Sequence, residues 1–545
     1  MRMYGGRRPY GYAFGGSGGA YRTVGSFENT RGVWDGVVPY VLGSSVASPT
    51  NFTVRMHAMR VLKNKFPQIV DAAEPGGSND PYSGLSATEA GALREATRLG
   101  FPIESWFGWK TMGVHAFPAL YGGILAVDPT YFTDFWSKPG YLGFDHPEQL
   151  AADRMQHSAR IAGVVTAAEA ARLGINASIV NGKVDGGVDN AFAAREGEGP
   201  KRVVGYRLSP MPPAIDFLGG DLIARSGVAE GKRLPLTKIA GDIVILGIAD
   251  QGVAAKIADG DEVVIDNSNY LAAQTYHRHQ IPGPEFPGYD QFRGADGKPR
   301  YPQRPMLLGP MFTKGAAGSV PTGNWNGKMI LVESLWDREA WPWQAIWYRN
   351  QVEKHLGSQA DANFRLWYTE RALHGDTVRQ EAPTQTVSYL GVLHQALRDL
   401  AAWVETGTPP PLSTRYKVVE DTRVVLPSEA RERRGIQPVV TLLANGGARA
   451  ETPTGKPVYF TGTIAVPPGA GSIIAAEWDF DGSGTFATRS PVGDGAADAA
   501  VSIDHTFDKP GTYFVTLRGR SQRQGDARSL YGRIDNLARV RIVVR

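Results

Sequence analysis

Two apolar runs, "KMILVESLW" and "FRLWYTE", flank a single helical segment, "QAIWYRNQVEKHL". A strand–helix–strand unit needs a crossover connection, so its two strands run parallel with the helix on the sheet face. Such a sheet gathers the C-terminal ends of its strands along one edge, where reactive side chains are held on loops. Just past those two ends stand Asp337, in "SLWDREAW", and His374, in "RALHGD". An acid followed by an imidazole, each at a strand end, supplies the orienting and base members of a nucleophilic triad.

A third member is offered near the start of the chain. "YAFGGSGGAYRT" reads as strand, glycine turn and helix, and Gly15-Gly16-Ser17-Gly18-Gly19 fits G-x-S-x-G. A nucleophile elbow holds its serine in a strained turn with little room for flanking side chains. The serine then stands at the positive end of a helix, and the Gly18 amide can donate to a developing oxyanion. Ser17, Asp337 and His374 occur in the order nucleophile, acid, histidine. Other readings stand beside this one. Ser17 fits a flexible glycine turn in a chain with 66 glycines, Asp337 a helix N-cap, and His374 an exposed loop histidine. Glu333 and Asp376 are rival acids, with Glu333 inside its strand and expected to point away from the site.

At 545 residues the chain has room for about two to four domains. Its net charge of +4 comes with no long Lys/Arg run, which argues against a nucleic-acid partner. The absence of cysteine excludes disulfides, thiolate metal sites and a cysteine nucleophile. No window is long and apolar enough for a membrane span, and the N-terminal residues lack the apolar core of a signal peptide. Residues 1–50 and 300–411 read as an α/β core, with Pro/Gly-rich loop over 300–325. Residues 51–200 read as a helical cap, with helix starts at Ser86/Glu89 and Thr166/Glu169. Residues 201–290 read as a small antiparallel β insert, 412–437 as a charged linker, and 438–545 as a β-sandwich of short strands.

The segments "GGSGGAYRT", "ENTRGVWDGVVPYVLGSS", "GKMILVESLWDREAWPWQA", "FRLWYTERALHGD" and "ALRDLAAWVETGTPPP" resemble, in order, parts of the tannase and feruloyl-esterase branch of α/β-hydrolases. Residues 50–320 carry no such likeness. The resemblance implies an α/β-hydrolase fold, a mostly parallel sheet, and a serine esterase working through an acyl-enzyme. It implies no cofactor and an ester as the small-molecule partner. That family usually carries a cysteine beside both serine and histidine; here the neighbours are Gly16 and Gly375. Its calcium-binding lid loops have no counterpart here. An α/β-hydrolase also presents about four strands before its nucleophile strand. Only one precedes Ser17, so a preceding segment or a second chain is expected to complete the sheet and supply the second oxyanion donor, with a genuinely short sheet and a long exposed edge as the third explanation. A peptidase or other acyl hydrolase on the same fold, and a non-catalytic binding protein, are the alternatives.

"EWDFDGSGTF" and "HTFDKPGTYFVTLR" resemble a PKD-type sandwich, with Trp478, Phe480, His505, Phe507, Tyr513 and Val515 as core and turn residues. Such modules accompany exported proteins, which implies a secreted or periplasmic location. Asp479, Asp481 and Ser483 resemble part of a calcium loop but lack the distal Glu, so a turn is the better reading. His277 and His279, in "TYHRHQ", would share a strand face as a metal pair, with a surface strand or substrate contact as the more economical reading. Trp106, Trp109, Trp341, Trp343 and Trp347 read mostly as core, but Trp341 and Trp343 follow the acid closely enough for one of them to line an acyl or aryl pocket.

Overall fold

The computed structural model describes residues 8–114, 116–175, 199, 201–378 and 380–545. Strand β1 (Tyr12–Gly16) leads through Ser17 into helix α1 (Gly18–Asn29) and then β2 (Gly36–Tyr40). Helices Ala47–Val61, Phe66–Ala73, Ala87–Leu99, Phe117–Val127 and Thr130–Ser137 follow. The Ala87–Leu99 helix begins as its sequence dictates: Ser86 accepts from the Glu89 amide, the Glu89 carboxylate caps the Ser86 amide, and Gly100 closes the far end in a left-handed conformation.

The next segment departs from the sequence reading. Strands β3 (Gln156–Thr166), β4 (Val203–Ser209), β5 (Gly220–Ala224), β6 (Arg233–Ala240), β7 (Ile243–Leu246) and β8 (Glu262–Asp266) close into an antiparallel barrel of order β3-β4-β7-β6-β5-β8. The β unit therefore starts within the predicted helical cap, at Gln156 rather than 201, and ends at Asp266 rather than 290. Closure removes both sheet edges, and alternate residues such as Ile161, Tyr206, Leu222, Val244 and Ile265 fill the interior. The stretch 300–325, expected as loop, contains the helix Leu308–Ala317.

The chain then returns to the first sheet with β9 (Lys328–Ser334), helix Pro342–Leu356 and β10 (Phe364–Thr369). The sheet order is β1-β2-β9-β10, parallel throughout. Val37, Met329, Leu331, Leu366 and Tyr368 face one apolar cluster, and Val38, Ile330, Val332 and Trp367 the other. Burial on both faces explains why these strands read as continuous apolar runs. Among the described residues β1 pairs only with β2, and Phe14 on it is exposed.

The helix Leu390–Glu405 covers the sheet on the same side as a C-terminal sandwich, and one apolar cluster contains residues of all three. The expected linker is instead docked. It forms hairpin β11 (Lys417–Val419) and β12 (Arg423–Val425), the Thr414 amide donates to the Leu366 carbonyl, and Thr422 bonds back to the carbonyl of Arg98. The sandwich contains β13 (Val439–Ala444), β14 (Arg449–Thr452), β15 (Pro457–Ala465), β16 (Ser472–Asp479), β17 (Thr488–Ser490), β18 (Asp498–Thr506), β19 (Gly511–Gln522) and β20 (Ile534–Val544). Its two sheets have the orders β13-β15-β18 and β14-β20-β19-β16-β17.

Candidate active site

The glycines around Ser17 are fixed by space. A Cβ on Gly15 would lie 2.7 Å from the Gly19 carbonyl oxygen, and one on Gly16 would lie 2.2 Å from the Tyr40 ring. Ser17 itself has φ 55 and ψ −118, a strained conformation for a residue with a side chain. Its amide donates to the Tyr40 carbonyl at 3.1 Å, which ties the turn to the end of β2. Gly18 opens α1, and among the described residues its amide meets no acceptor. A Cβ at Gly18 would meet nothing within 4 Å, so the space before this helix end is open.

Asp337 follows β9 and His374 follows β10. Their exit loops are laced together, the Leu335 amide to the Thr369 carbonyl and the Trp336 amide to the Ala372 carbonyl, each at 3.0 Å. This brings Asp337 Oδ2 to 2.8 Å from His374 Nδ1, with both side chains buried. Asp337 Oδ1 accepts from the amides of Glu339 and Ala340, so it pins its own turn and the imidazole together. It is not the cap of the following helix, whose N-cap is Trp341. Burial pushes the Asp337 carboxyl up, against the pull of the adjacent imidazole. The Tyr389 hydroxyl donates to the His374 carbonyl at 3.1 Å and holds the loop from behind.

Two further carboxyls stand near this pair. Glu333 does not point away from the site. It is fully buried, accepts from the Leu42 amide at 2.7 Å, and feels the charges of Asp337 and His374. Burial, reinforced by Asp337, holds its carboxyl well above the usual range. Glu339 places Oε2 3.5 Å from His374 Nε2, on the ring nitrogen opposite Asp337. Its only sequence signal is its place two residues after the acid. Asp376, the other rival, is exposed.

The acid and the histidine are thus joined, whereas among the described residues no hydrogen bond joins Ser17 Oγ to the imidazole. Trp341 and Trp343 sit in the apolar core. Trp341 is fully buried against Phe101, and Trp343 is buried with Nε1 donating to the Leu99 carbonyl at 2.7 Å.

His277 and His279 lie in a short 3₁₀ turn, Tyr276–His279, rather than on a strand, and both are buried. His277 bonds Thr53 Oγ1 at 2.9 Å and Glu95 Oε1 at 2.6 Å, and His279 bonds the Pro302 carbonyl at 2.7 Å. Burial alone would raise Glu95, but Arg278 and His277 beside it hold it well below the usual carboxylate range. These are core polar contacts, and among the described residues no group of three or more His, Asp or Glu is arranged to hold a metal. In the sandwich, Asp479 accepts from the amides of Gly482 and Gly484, so its carboxylate closes its own turn.

With known proteins the likenesses are these. No curated protein sequence matches the chain. The fold compares with feruloyl esterase B from Aspergillus oryzae at 11% identity and a TM-score of 0.23, covering 76% of this chain and 64% of that one. It compares with an esterase from Aspergillus oryzae at 13% identity and a TM-score of 0.14, over 28% and 40%. It also compares with the CARDB domain of the PF1109 protein from Pyrococcus furiosus at 13% identity and a TM-score of 0.16, over 20% and 92%. Scores this low assign no fold to the chain. The family match is local: residues 444–530 fit the family model of the PKD domain, and the C-terminal sandwich therefore carries a PKD domain.

Proposed function

We propose that the chain is a serine hydrolase of α/β-hydrolase type that cleaves a carboxylic ester through an acyl-enzyme. The observation that carries this is the buried 2.8 Å bond between His374 Nδ1 and Asp337 Oδ2, at the ends of two neighbouring parallel strands. Ser17, on a strained elbow at the same end of β1, supports it. In this reading Ser17 Oγ attacks the ester carbonyl while His374 Nε2 takes its proton. Asp337 keeps the proton on Nδ1, so that Nε2 is the basic nitrogen, and stabilises the imidazolium that forms. The Gly18 amide, at the positive end of α1, donates to the oxyanion. His374 then protonates the leaving alcohol, and water releases the acyl group by the same steps. These groups need no cofactor.

A second reading, a non-catalytic binding protein, is favoured by one observation: the Glu339 carboxylate stands 3.5 Å from His374 Nε2, the nitrogen a nucleophile would need. A fluorophosphonate probe separates the two. The esterase reading expects labelling of the full chain that disappears in Ser17→Ala, together with turnover of p-nitrophenyl esters. A folded chain whose labelling survives Ser17→Ala, or that never labels, sinks it. We place the protein outside the cytoplasm, on the strength of its PKD domain. Among the described residues no helix is long and apolar enough to cross a membrane. Cell fractionation checks this assignment.

A further inference from the structure

A cleft of about 520 Å³ lies where the helix Phe117–Val127 meets the barrel. None of its lining residues belongs to the Ser17, Asp337 and His374 set. Its wall is largely apolar, with Leu125 from the helix and Pro235 and Ile248 from the barrel. Polar groups converge at one place: Tyr121 on the helix, Asp221 on β5 and Arg233 on β6. Asp221 is only 1% exposed. Its Oδ2 accepts from the Tyr121 hydroxyl at 2.5 Å and from the Arg233 guanidinium. Its Oδ1 is buried and has no donor among the described residues.

A buried carboxylate oxygen without a donor is costly, and a mostly apolar cleft with a few convergent polar groups is the usual form of a small-molecule site. The charges limit what fits. Arg233 offsets the charge of Asp221, so an ammonium would meet the guanidinium and a carboxylate would meet Asp221. The remaining need is for one neutral donor on an apolar body. We propose that this cleft is a second ligand site, which takes an uncharged, mostly apolar molecule bearing a hydroxyl group that donates to Asp221 Oδ1.

Burial pushes the Asp221 carboxyl up to about 6, with Arg233 and Tyr121 opposing, so at pH 8 the group is an ionised acceptor. The test uses the full chain carrying Ser17→Ala, so that no turnover contributes. Calorimetric titration at pH 8 compares 1-adamantanol with 1-methoxyadamantane, which keeps the acceptor oxygen but has no proton to donate. The alcohol should bind saturably and roughly tenfold more tightly than the ether, the cost of one unmade hydrogen bond. Asp221→Asn, with its amide oxygen turned to Arg233 and Tyr121, presents N–H to the cleft, from which alcohol and ether can both accept, and should remove the alcohol's tenfold advantage. If Asp221→Asn does not fold, Leu125→Trp, which fills the cleft from the helix side and leaves Asp221 intact, should abolish alcohol binding. Equal affinity for the two probes with Asp221 in place, no saturable binding, or binding indifferent to Leu125→Trp overturns the proposal. All of these readouts are independent of Ser17 chemistry.

Discussion

Glu333 offers a quantitative test of the site's electrostatics that does not depend on any reaction. Its carboxyl is fully buried beneath the edge of the sheet, with Oε1 held by the Leu42 amide and Oε2 without a partner among the described residues. Burial pushes it well above its ordinary range, and the nearby Asp337 pushes in the same direction. The Leu42 amide and His374 oppose but do not win. In the unfolded chain a glutamate titrates near ~4.3. Above that pH the unfolded chain loses the proton while the folded chain keeps it. The folded state then binds more protons, so stability falls as pH rises, until the folded carboxyl itself ionises. The slope is about 1.4 kcal/mol per pH unit for one proton. Glu333→Gln keeps the shape and the oxygen that accepts from Leu42 but has no proton to lose. Relative to the parent, the variant should gain stability as pH climbs from ~5, by at most about 1.4 kcal/mol per pH unit and only until the folded carboxyl ionises. Parallel urea unfolding of the two chains between pH 5 and 8, followed by tryptophan fluorescence, reads this difference directly. A stability difference that stays constant over that range would mean that Glu333 is ionised in the fold, and the argument from burial would fail.

Four further outcomes are expected. Asp337→Asn keeps an oxygen for the Glu339 and Ala340 amides but turns an N–H toward His374 Nδ1, which forces the wrong tautomer; ester turnover should fall by about 10³–10⁴, as measured with a p-nitrophenyl ester. Gly16→Ala drives a Cβ to 2.2 Å from the Tyr40 ring and should destabilise the chain by about 1–3 kcal/mol in urea unfolding. Gly18→Ala, whose Cβ meets nothing within 4 Å, should leave stability near the parent in the same assay. Trp343→Phe loses the bond to the Leu99 carbonyl and should cost about 1 kcal/mol of stability while leaving turnover unchanged, which separates a core residue from a substrate wall.

What could be read from the sequence follows from how local each signal was. The strands of the parallel sheet are buried on both faces, so β2, β9 and β10 announced themselves as apolar runs. The Ser86 cap lies within four consecutive residues and was equally plain. The barrel was hidden because its closure pairs β3 with β8, residues about a hundred positions apart, and because the exposed positions of β3 break its apolar pattern. "TYHRHQ" alternates like a strand, yet the partners that bury His277 are Thr53 and Glu95, far away in the chain. Residues 412–437 looked like a linker because they are charged; those polar groups instead satisfy helix ends and strand edges of the body, as Thr422 does at Arg98. Glu333 points inward against the expectation for a charged residue because burial keeps its carboxyl protonated and the Leu42 amide satisfies one oxygen.

The geometry of the sheet sets the problem that any Ser17 chemistry must solve. β1 and β10 lie at opposite edges with two strands between them, a separation of roughly 14 Å at about 4.8 Å per strand. A side chain cannot span that, so the loop after β10 has to reach back across the sheet. It does so over β9, where the paired exit loops and the Asp337 bond anchor the imidazole. The remaining step crosses β2. There the Tyr40 ring packs on Tyr389 at 5.6 Å, Tyr389 holds the His374 carbonyl, and the Tyr40 carbonyl holds the Ser17 amide. Elbow and histidine loop are therefore tied to the same pair of tyrosines, and Tyr40 also blocks any side chain at Gly16. For proton transfer, Ser17 Oγ has to come within ~3 Å of Nε2. The Glu339 carboxylate now stands beside that nitrogen, so a working nucleophile must share or displace it. Glu339→Gln removes the competing charge without removing volume. If Ser17 is the nucleophile, the substitution should alter the rate of fluorophosphonate labelling; an identical rate would place Glu339 outside the path between hydroxyl and imidazole.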